Sequence, residues 1–498
     1  MVGTGPLAGL MAALLVVGPL GAGPARAEAP VELAGAKWLD DGGKNAAVQA
    51  VKKAAGGKVK NGKVDTASLT GAGIGVALID SGVAPVAGLD QPGKVINGPD
   101  LSFESQTPGL AHLDTYGHGT HMAGIIAGSD PAAGFEGVAP GAHLISLKTA
   151  AADGAVDVSQ VIAAIDWVVA HRNDPGLNIR VLNLSFGTDS IQPALVDPLS
   201  YAVEAAWKKG IVVVSSVGND GAGATRVTMP AANPYVLAVG AADPNGTDDR
   251  GDDTVATFSN RGSVTRHADL LAAGRSLVSL RVPGSYIDSE YPAARVGERF
   301  FRGSGTSQAA AVVSGSVALL LQQRPGLTPD QVKQLLMQTA DPLTGADPVA
   351  AGAGQLDIAE AAALKLPGNA AQTWPAATGL GSLELSRGSA HLVDDATGTV
   401  LVGERDIFGK AWVPATWTAV ARNGKAWTGG TWNGSGWTGQ GFTGTSWTVV
   451  TWTGRSWAGR SWTGSAWSGR SWTAGAWTGR SWTSGTWAGR SWTGRSWT

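Results

Sequence analysis

Five stretches of the chain are near-continuous and apolar: "GIGVALID" (73–80), "HLISLKTA" (143–150), "IRVLNLSFG" (179–187), "IVVVSSVGN" (211–219) and "YVLAVGAAD" (235–243). A strand with no polar alternation has to be buried on both faces. Helical patterns separate these runs. In "DVSQVIAAIDWVVAHRN" the apolar positions 158, 161, 162, 165, 168 and 169 fall on one face of a helix. The rhythm therefore predicts an α/β fold, a parallel sheet with helices on both faces. Such sheets gather ligands and chemistry at the carboxyl ends of their strands.

At 498 residues the chain exceeds one typical core, so more than one domain is expected. Residues 1–27 contain the apolar run "LAGLMAALLVVGPLGAG" and then "ARA" before Glu28, which reads as a signal peptide although the run has no Lys or Arg ahead of it. No later stretch is long and apolar enough to span a bilayer, so a secreted protein, with cell-surface attachment left open, is expected. Residues 28–69 form a Lys/Ala/Gly-rich lead-in with one short helical pattern, "NAAVQAVKKAA". The βα rhythm occupies 70–366. Residues 367–411 read as a linker followed by a hairpin or two, and 412–498 as a tryptophan repeat. The absence of cysteine excludes disulfides, thiolate metal sites and a cysteine nucleophile.

Four residues stand where a sheet of this kind places its chemistry. Asp80 ends the first apolar run; alone, it is most simply a turn or cap residue. His118 lies between two glycines in "DTYGHGTHMAG" (114–124) at the start of a helical pattern. From this segment alone a zinc cradle of His112, Asp114, His118 and His121, a catalytic base and a polar loop all stay open, although the spacing fits no standard helical ligand pattern. Asn219 ends the fourth run, where its amide suits an oxyanion as well as a turn. Ser307 follows Gly303 and Gly305 and opens an apolar helix, "GSGTSQAAAVVSGSVALLLQQ" (303–323). There its hydroxyl meets unpaired N–H groups and the positive end of the helix, or serves as a plain N-cap.

Taken in order, "ALIDSGV", "HGTHMAG", "LNLSFG", "VGND" and "GTSQAAA" resemble the blocks of the subtilisin-like serine proteases, the subtilases, over roughly residues 70–366. The resemblance implies a serine endopeptidase acting on protein or peptide substrates. It makes Ser307 the nucleophile, His118 the general base and Asp80 the group that holds the imidazole's tautomer. It makes Asn219, with the Ser307 N–H, the oxyanion hole. Ser185, Phe186 and Gly187 match the segment that pairs with an extended substrate backbone. No cofactor is expected to be required. Subtilases often hold calcium, but no Asp-rich loop here has a decisive ligand pattern.

Three features depart from the family. Gln308 and Ala311 stand where it usually has Met and Pro. The stretch before Asp80 is too short for a full pro-domain, so 28–48 is expected to be a short cleavable leader. The segment "RVPGSYIDSEYPAARVGERFFR" (281–302) looks longer than the family minimum and suits either a cleft rim or a surface loop.

From position 412 to 497 every fifth residue is Trp except Arg422 and Phe442. Each unit reads as a short extended piece with a glycine turn, giving a β-rich repeat module. Residues 407–498 carry nine Lys or Arg and no acid, so of the net −2 the tail is +9 and the remainder −11. Exposed Trp beside Arg suits cell-wall or polysaccharide attachment; buried Trp would make a self-packing structural module. Nucleic acid is not an expected partner. The rival to the protease reading is a cell-envelope binding or adhesion protein that uses a weakly active protease fold as scaffold.

Overall fold

The computed structural model describes residues 69–105, 109–154, 156–247, 249–364, 370–393, 400–428 and 430–436, together with the short strands Leu39–Asp40, Lys44–Asn45, Lys58–Lys60, Lys63–Asp65 and Thr453–Gly454. All of them lie in one compact unit, Lys37–Thr498. The expected signal peptide lies outside the described residues, as do the leader and lead-in helix apart from Leu39–Asp40 and Lys44–Asn45, and the repeat beyond residue 436 apart from Thr453–Gly454.

The five apolar runs form β1 (Gly75–Asp80), then, beyond the mixed-polarity β2 (Val95–Asp100) and helix α1 (His118–Ala127), β3 (His143–Lys148). Helix α2 (Val158–His171) leads to β4 (Ile179–Leu184), and helix α3 (Pro198–Lys208) to β5 (Val212–Ser216) and β6 (Leu237–Asp243). Strands β7 (Thr254–Val255) and β8 (Leu270–Ala273) complete an eight-stranded sheet in the order β7-β6-β5-β4-β1-β3-β2, with β8 also on β6. Every pairing is parallel except β7 on β6. Strands β1 and β5 are buried along their whole length, which is why they carry no alternation.

The chain crosses from one half of the sheet to the other between β3 and β4, which flank β1. The carboxyl ends of β1, β4 and β5 therefore open together at the switch point. Strands β9 (Leu277–Leu280), β10 (Arg295–Val296) and β11 (Phe300–Gly303) form a small antiparallel sheet around helix α4 (Tyr286–Glu290). Helix α5 (Thr306–Gln323) runs through the core against β4, β5 and β6 and packs on α1. Helices α2 and α3 pack on one another, and α6 (Pro329–Gln338) follows α5.

After residue 370 the chain carries a short strand, Leu392–Val393, and also features the sequence pattern did not show. The segment read as a hairpin begins with a helix, α7 (Leu383–Arg387), N-capped by Ser382, whose side chain accepts from Leu385 N. The 367–411 stretch is also no loose linker where it is described. Arg387 is 1% exposed and lies 2.6 Å from Asp157, the N-cap of α2. A single buried ion pair between distant segments leaves no periodic trace.

The repeat opens with a helix ahead of the expected extended pieces. Trp417 sits in a helix, α8 (Pro414–Ala421), which Pro414 opens at its first position. Only then does a small antiparallel sheet follow, β12 (Trp427–Thr428), β13 (Thr431–Trp432) and β14 (Ser435–Gly436). Trp412, Trp417, Trp427 and Trp432 are all buried. The Trp417 and Trp432 indoles both donate to Asp166 Oδ2 at 2.8 Å, and Trp427 donates to Ala163 O at 2.6 Å. These units thus pack on α2 as part of the main hydrophobic core, and truncating one of these Trp to Ala costs about 3–5 kcal/mol.

Candidate active site

Asp80 is the last residue of β1 and is 3% exposed. The α1 helix starts beside it. Gly117, its N-cap, has φ 105°, a left-handed conformation that suits glycine. A Cβ on Gly119 would stand 2.1 Å from Gly82 O, so only glycine lets the first helical turn touch the end of β1. That contact brings His118 Nδ1 to 2.9 Å from both Asp80 Oδ1 and Oδ2. The pair is buried, His118 being 1% exposed, so the carboxylate fixes the ring's orientation with little competition from water.

Ser307 lies in the first turn of α5, which the extended residue Gly305 precedes. Its hydroxyl contacts Ser185 O at 3.4 Å, and Ser185 Oγ donates to Ser307 O at 3.2 Å. Asn183 Nδ2 donates to Ser185 Oγ at 2.9 Å and Ser314 Oγ to Asn183 Oδ1 at 2.9 Å, so polar links staple the end of β4 to α5. Phe186 is buried, and Gly187 packs tightly on Thr228, whose Oγ1 would lie 2.3 Å from a Cβ there.

Asn219 lies in the turn after β5. Its Oδ1 accepts from Thr306 N at 2.8 Å and Thr306 Oγ1 at 2.9 Å. The amide oxygen is thereby tied to α5, and the amide nitrogen lies alongside Gly305, 3.3 Å from where a Cβ would be. Thr306, which the sequence reading passed over within "GTS", is the residue that orients this amide. Its nearness to Ser307 is the only sequence signal it has.

The other members of the histidine-rich segment are turned to different partners. Backbone N–H of His112 donates to Asp100 Oδ2 at 2.8 Å, Asp114 accepts from Gly117 N and Thr120 N, and His121 Nε2 lies 3.1 Å from Phe301 O. Burial, and then the neighbouring His118, lowers the His121 pKa to about 3, which keeps its ring neutral. Among the described residues these four side chains form no metal-ligand group.

The 281–302 segment borders His118. Tyr286 N donates to Thr115 O at 3.0 Å and Ile287 N to Tyr116 O at 3.1 Å, while the Tyr116 and Tyr286 rings stack 5.6 Å apart. Asp288 anchors its base, accepting from Arg281 Nε at 2.5 Å and Arg295 Nε at 2.8 Å. Among the described residues no helix is long and apolar enough to cross a membrane.

A buried carboxylate–imidazole pair joins the end of β1 to α1, a serine stands in the first turn of α5, which packs on α1, and an amide after β5 is tied to that same turn. That arrangement defines a serine hydrolase of the α/β class. Residues 71–369 match the subtilase family, and the chain belongs to it. It is 38% identical over 307 residues to serine protease AprX of Bacillus subtilis (strain 168), covering 60% of this chain and 67% of that one. It is 33% identical over 275 residues to subtilisin Savinase of Lederbergia lenta, covering 55% of this chain and 86% of the relative. A cold-adapted subtilisin-like serine proteinase aligns with TM-score 0.46 at 26% identity, covering 63% of this chain and 97% of that one. The chain is a serine-type endopeptidase.

Proposed function

We propose that this protein is a secreted endopeptidase that cleaves peptide bonds through an acyl-enzyme on Ser307. His118 takes the Ser307 proton as the hydroxyl attacks the scissile carbonyl and returns it to the leaving amine. Asp80 holds the imidazole with its other nitrogen outward and balances the charge the ring gains. Asn219 and the Ser307 N–H receive the oxyanion, and Ser185–Gly187 align the substrate backbone. The observation that carries this reading is the buried His118–Asp80 pair at 2.9 Å on a helix that packs against α5, whose start holds Ser307 and is tied to Asn219.

The test is hydrolysis of casein by the full chain with either a serine-directed inhibitor or a chelator. Inhibition by the first and none by the second is expected. The reverse would favour a zinc site on His112, Asp114, His118 and His121. The burial of Trp412, Trp417, Trp427 and Trp432 supports a structural role for the first repeat units. Attachment to cell walls or glycans is therefore proposed only for the units beyond residue 436. Equal retention on insoluble cell walls by the full chain and by a chain ending at residue 436 would refute it.

A further inference from the structure

Helix α1 begins at Gly117, which has no side chain with which to cap it. A carboxylate three residues upstream does so instead. Asp114 Oδ1 accepts from Gly117 N at 2.6 Å and its Oδ2 from Thr120 N at 2.7 Å. A negative group here also meets the positive end of the helix. Asp114 is fully buried, so these bonds carry weight that a surface cap would lack.

The same carboxylate reaches the catalytic pair through one hydroxyl. Ser81 Oγ donates to Asp114 Oδ1 at 2.8 Å, accepts from Gly119 N at 2.9 Å and lies 3.2 Å from Asp80 Oδ1. A hydroxyl has one proton, and the shorter contact is to Asp114. Asp80 Oδ1 then accepts from Ser81 N at 2.8 Å and from His118.

We propose that Asp114, acting through Ser81, is a positioning residue for the His118–Asp80 pair. The inference rests on the protease reading above. Asp114 fixes the first turn of α1, in which His118 is the first helical residue. By drawing the Ser81 proton, it leaves the Asp80 charge directed at the imidazole. The first turn has no slack, because the Cβ position of Gly119 lies 3.2 Å from Asp80 Oδ1 as well as against Gly82 O. A shift of α1 therefore moves His118 relative to Asp80.

The groups facing Asp114 come from three elements: Asp80 at the end of β1 with Ser81 just after it, Thr120 in α1 with its N-cap Gly117, and Lys148 from β3. Lys148, opposite Asp80 in the β1–β3 register, pairs with Glu104 at 2.7 Å and donates to Ser81 O at 3.2 Å. Burial raises the Asp114 pKa, and the Gly117 and Thr120 bonds and Lys148 oppose the rise.

The test compares the full chain with Ser81→Ala, Ser81→Thr and Asp114→Asn on a peptide p-nitroanilide that the parent cleaves. Active protein is counted with a fluorophosphonate. Ser81→Ala is expected to lower kcat about tenfold, as for one lost orienting hydrogen bond, with KM within about twofold. Ser81→Thr, which keeps the hydroxyl, restores kcat. Asp114→Asn places an amide nitrogen against a backbone N–H and is expected to lower kcat about a hundredfold. Parental kcat in Ser81→Ala and Asp114→Asn, with only a lower thermal midpoint, would show a merely structural role. A parent that does not react with the fluorophosphonate would overturn the protease reading, and this inference with it.

Discussion

Asp166 makes the docking of the tryptophan units on α2 dependent on pH, and the effect has a definite sign. The carboxyl is 3% exposed, and burial raises its pKa to about 7, although the Trp417 and Trp432 indoles oppose the rise. In the unfolded chain an Asp titrates near 3.9. Between these values the folded protein holds a proton that the unfolded chain has released, so stability falls as pH rises. The loss begins near pH 4 and is complete once pH passes about 7. Three pKa units at 1.36 kcal/mol each bound it at roughly 4 kcal/mol. Asp166→Asn stays neutral at every pH, and its amide oxygen still accepts an indole N–H.

Urea unfolding followed by tryptophan fluorescence, on a Ser307→Ala background that prevents self-digestion, reads the difference. Between pH 5 and pH 8 the background protein should lose about 2–3 kcal/mol more than its Asp166→Asn derivative, the part of the titration inside that window. Parallel pH profiles for the two would refute the reasoning.

Three further outcomes follow from named contacts. Gln308 is 1% exposed and its Nε2 has no hydrogen-bond partner, so Gln308→Met should stabilise the fold by about 1–3 kcal/mol, read as a higher urea midpoint. Arg387→Ala leaves Asp157 as a buried, unpaired charge at the start of α2 and should cost about 3–5 kcal/mol in the same assay. Asn219→Ala removes the proposed oxyanion donor. In subtilisin, loss of such an asparagine lowers kcat by about 10²–10³, and steady-state kinetics here should show a fall of that order with little change in KM.

The sheet was legible because strands such as "GIGVALID" and "IVVVSSVGN" are buried on both faces and have to be apolar throughout. The positions of Asp80 and Asn219 were legible for the same reason, since each ends such a run. The supports of the site were not. Ser81 meets Asp114 across 33 residues and Thr306 meets Asn219 across 87, and each is a small polar residue that looks locally like a turn or a cap. The C-terminal packing was hidden more deeply, since Trp417 and Asp166 are 251 residues apart. A signal was present: Asp166 follows Ile162 by four positions, placing a carboxyl beside the apolar stripe of α2, where burial requires partners. The five-residue period described the repeat but not its surroundings. Trp417, Trp427 and Trp432 are bonded to α2, and Trp412 packs on Trp417 and Trp432.

The most direct test of the account is fluorophosphonate labelling of the full chain, read by intact mass, beside Ser307→Ala and His118→Ala. The account predicts one adduct on the parent, none on Ser307→Ala and greatly slowed labelling of His118→Ala. An adduct that persists on Ser307→Ala, or labelling that is indifferent to His118, would contradict a Ser307 nucleophile activated by that histidine.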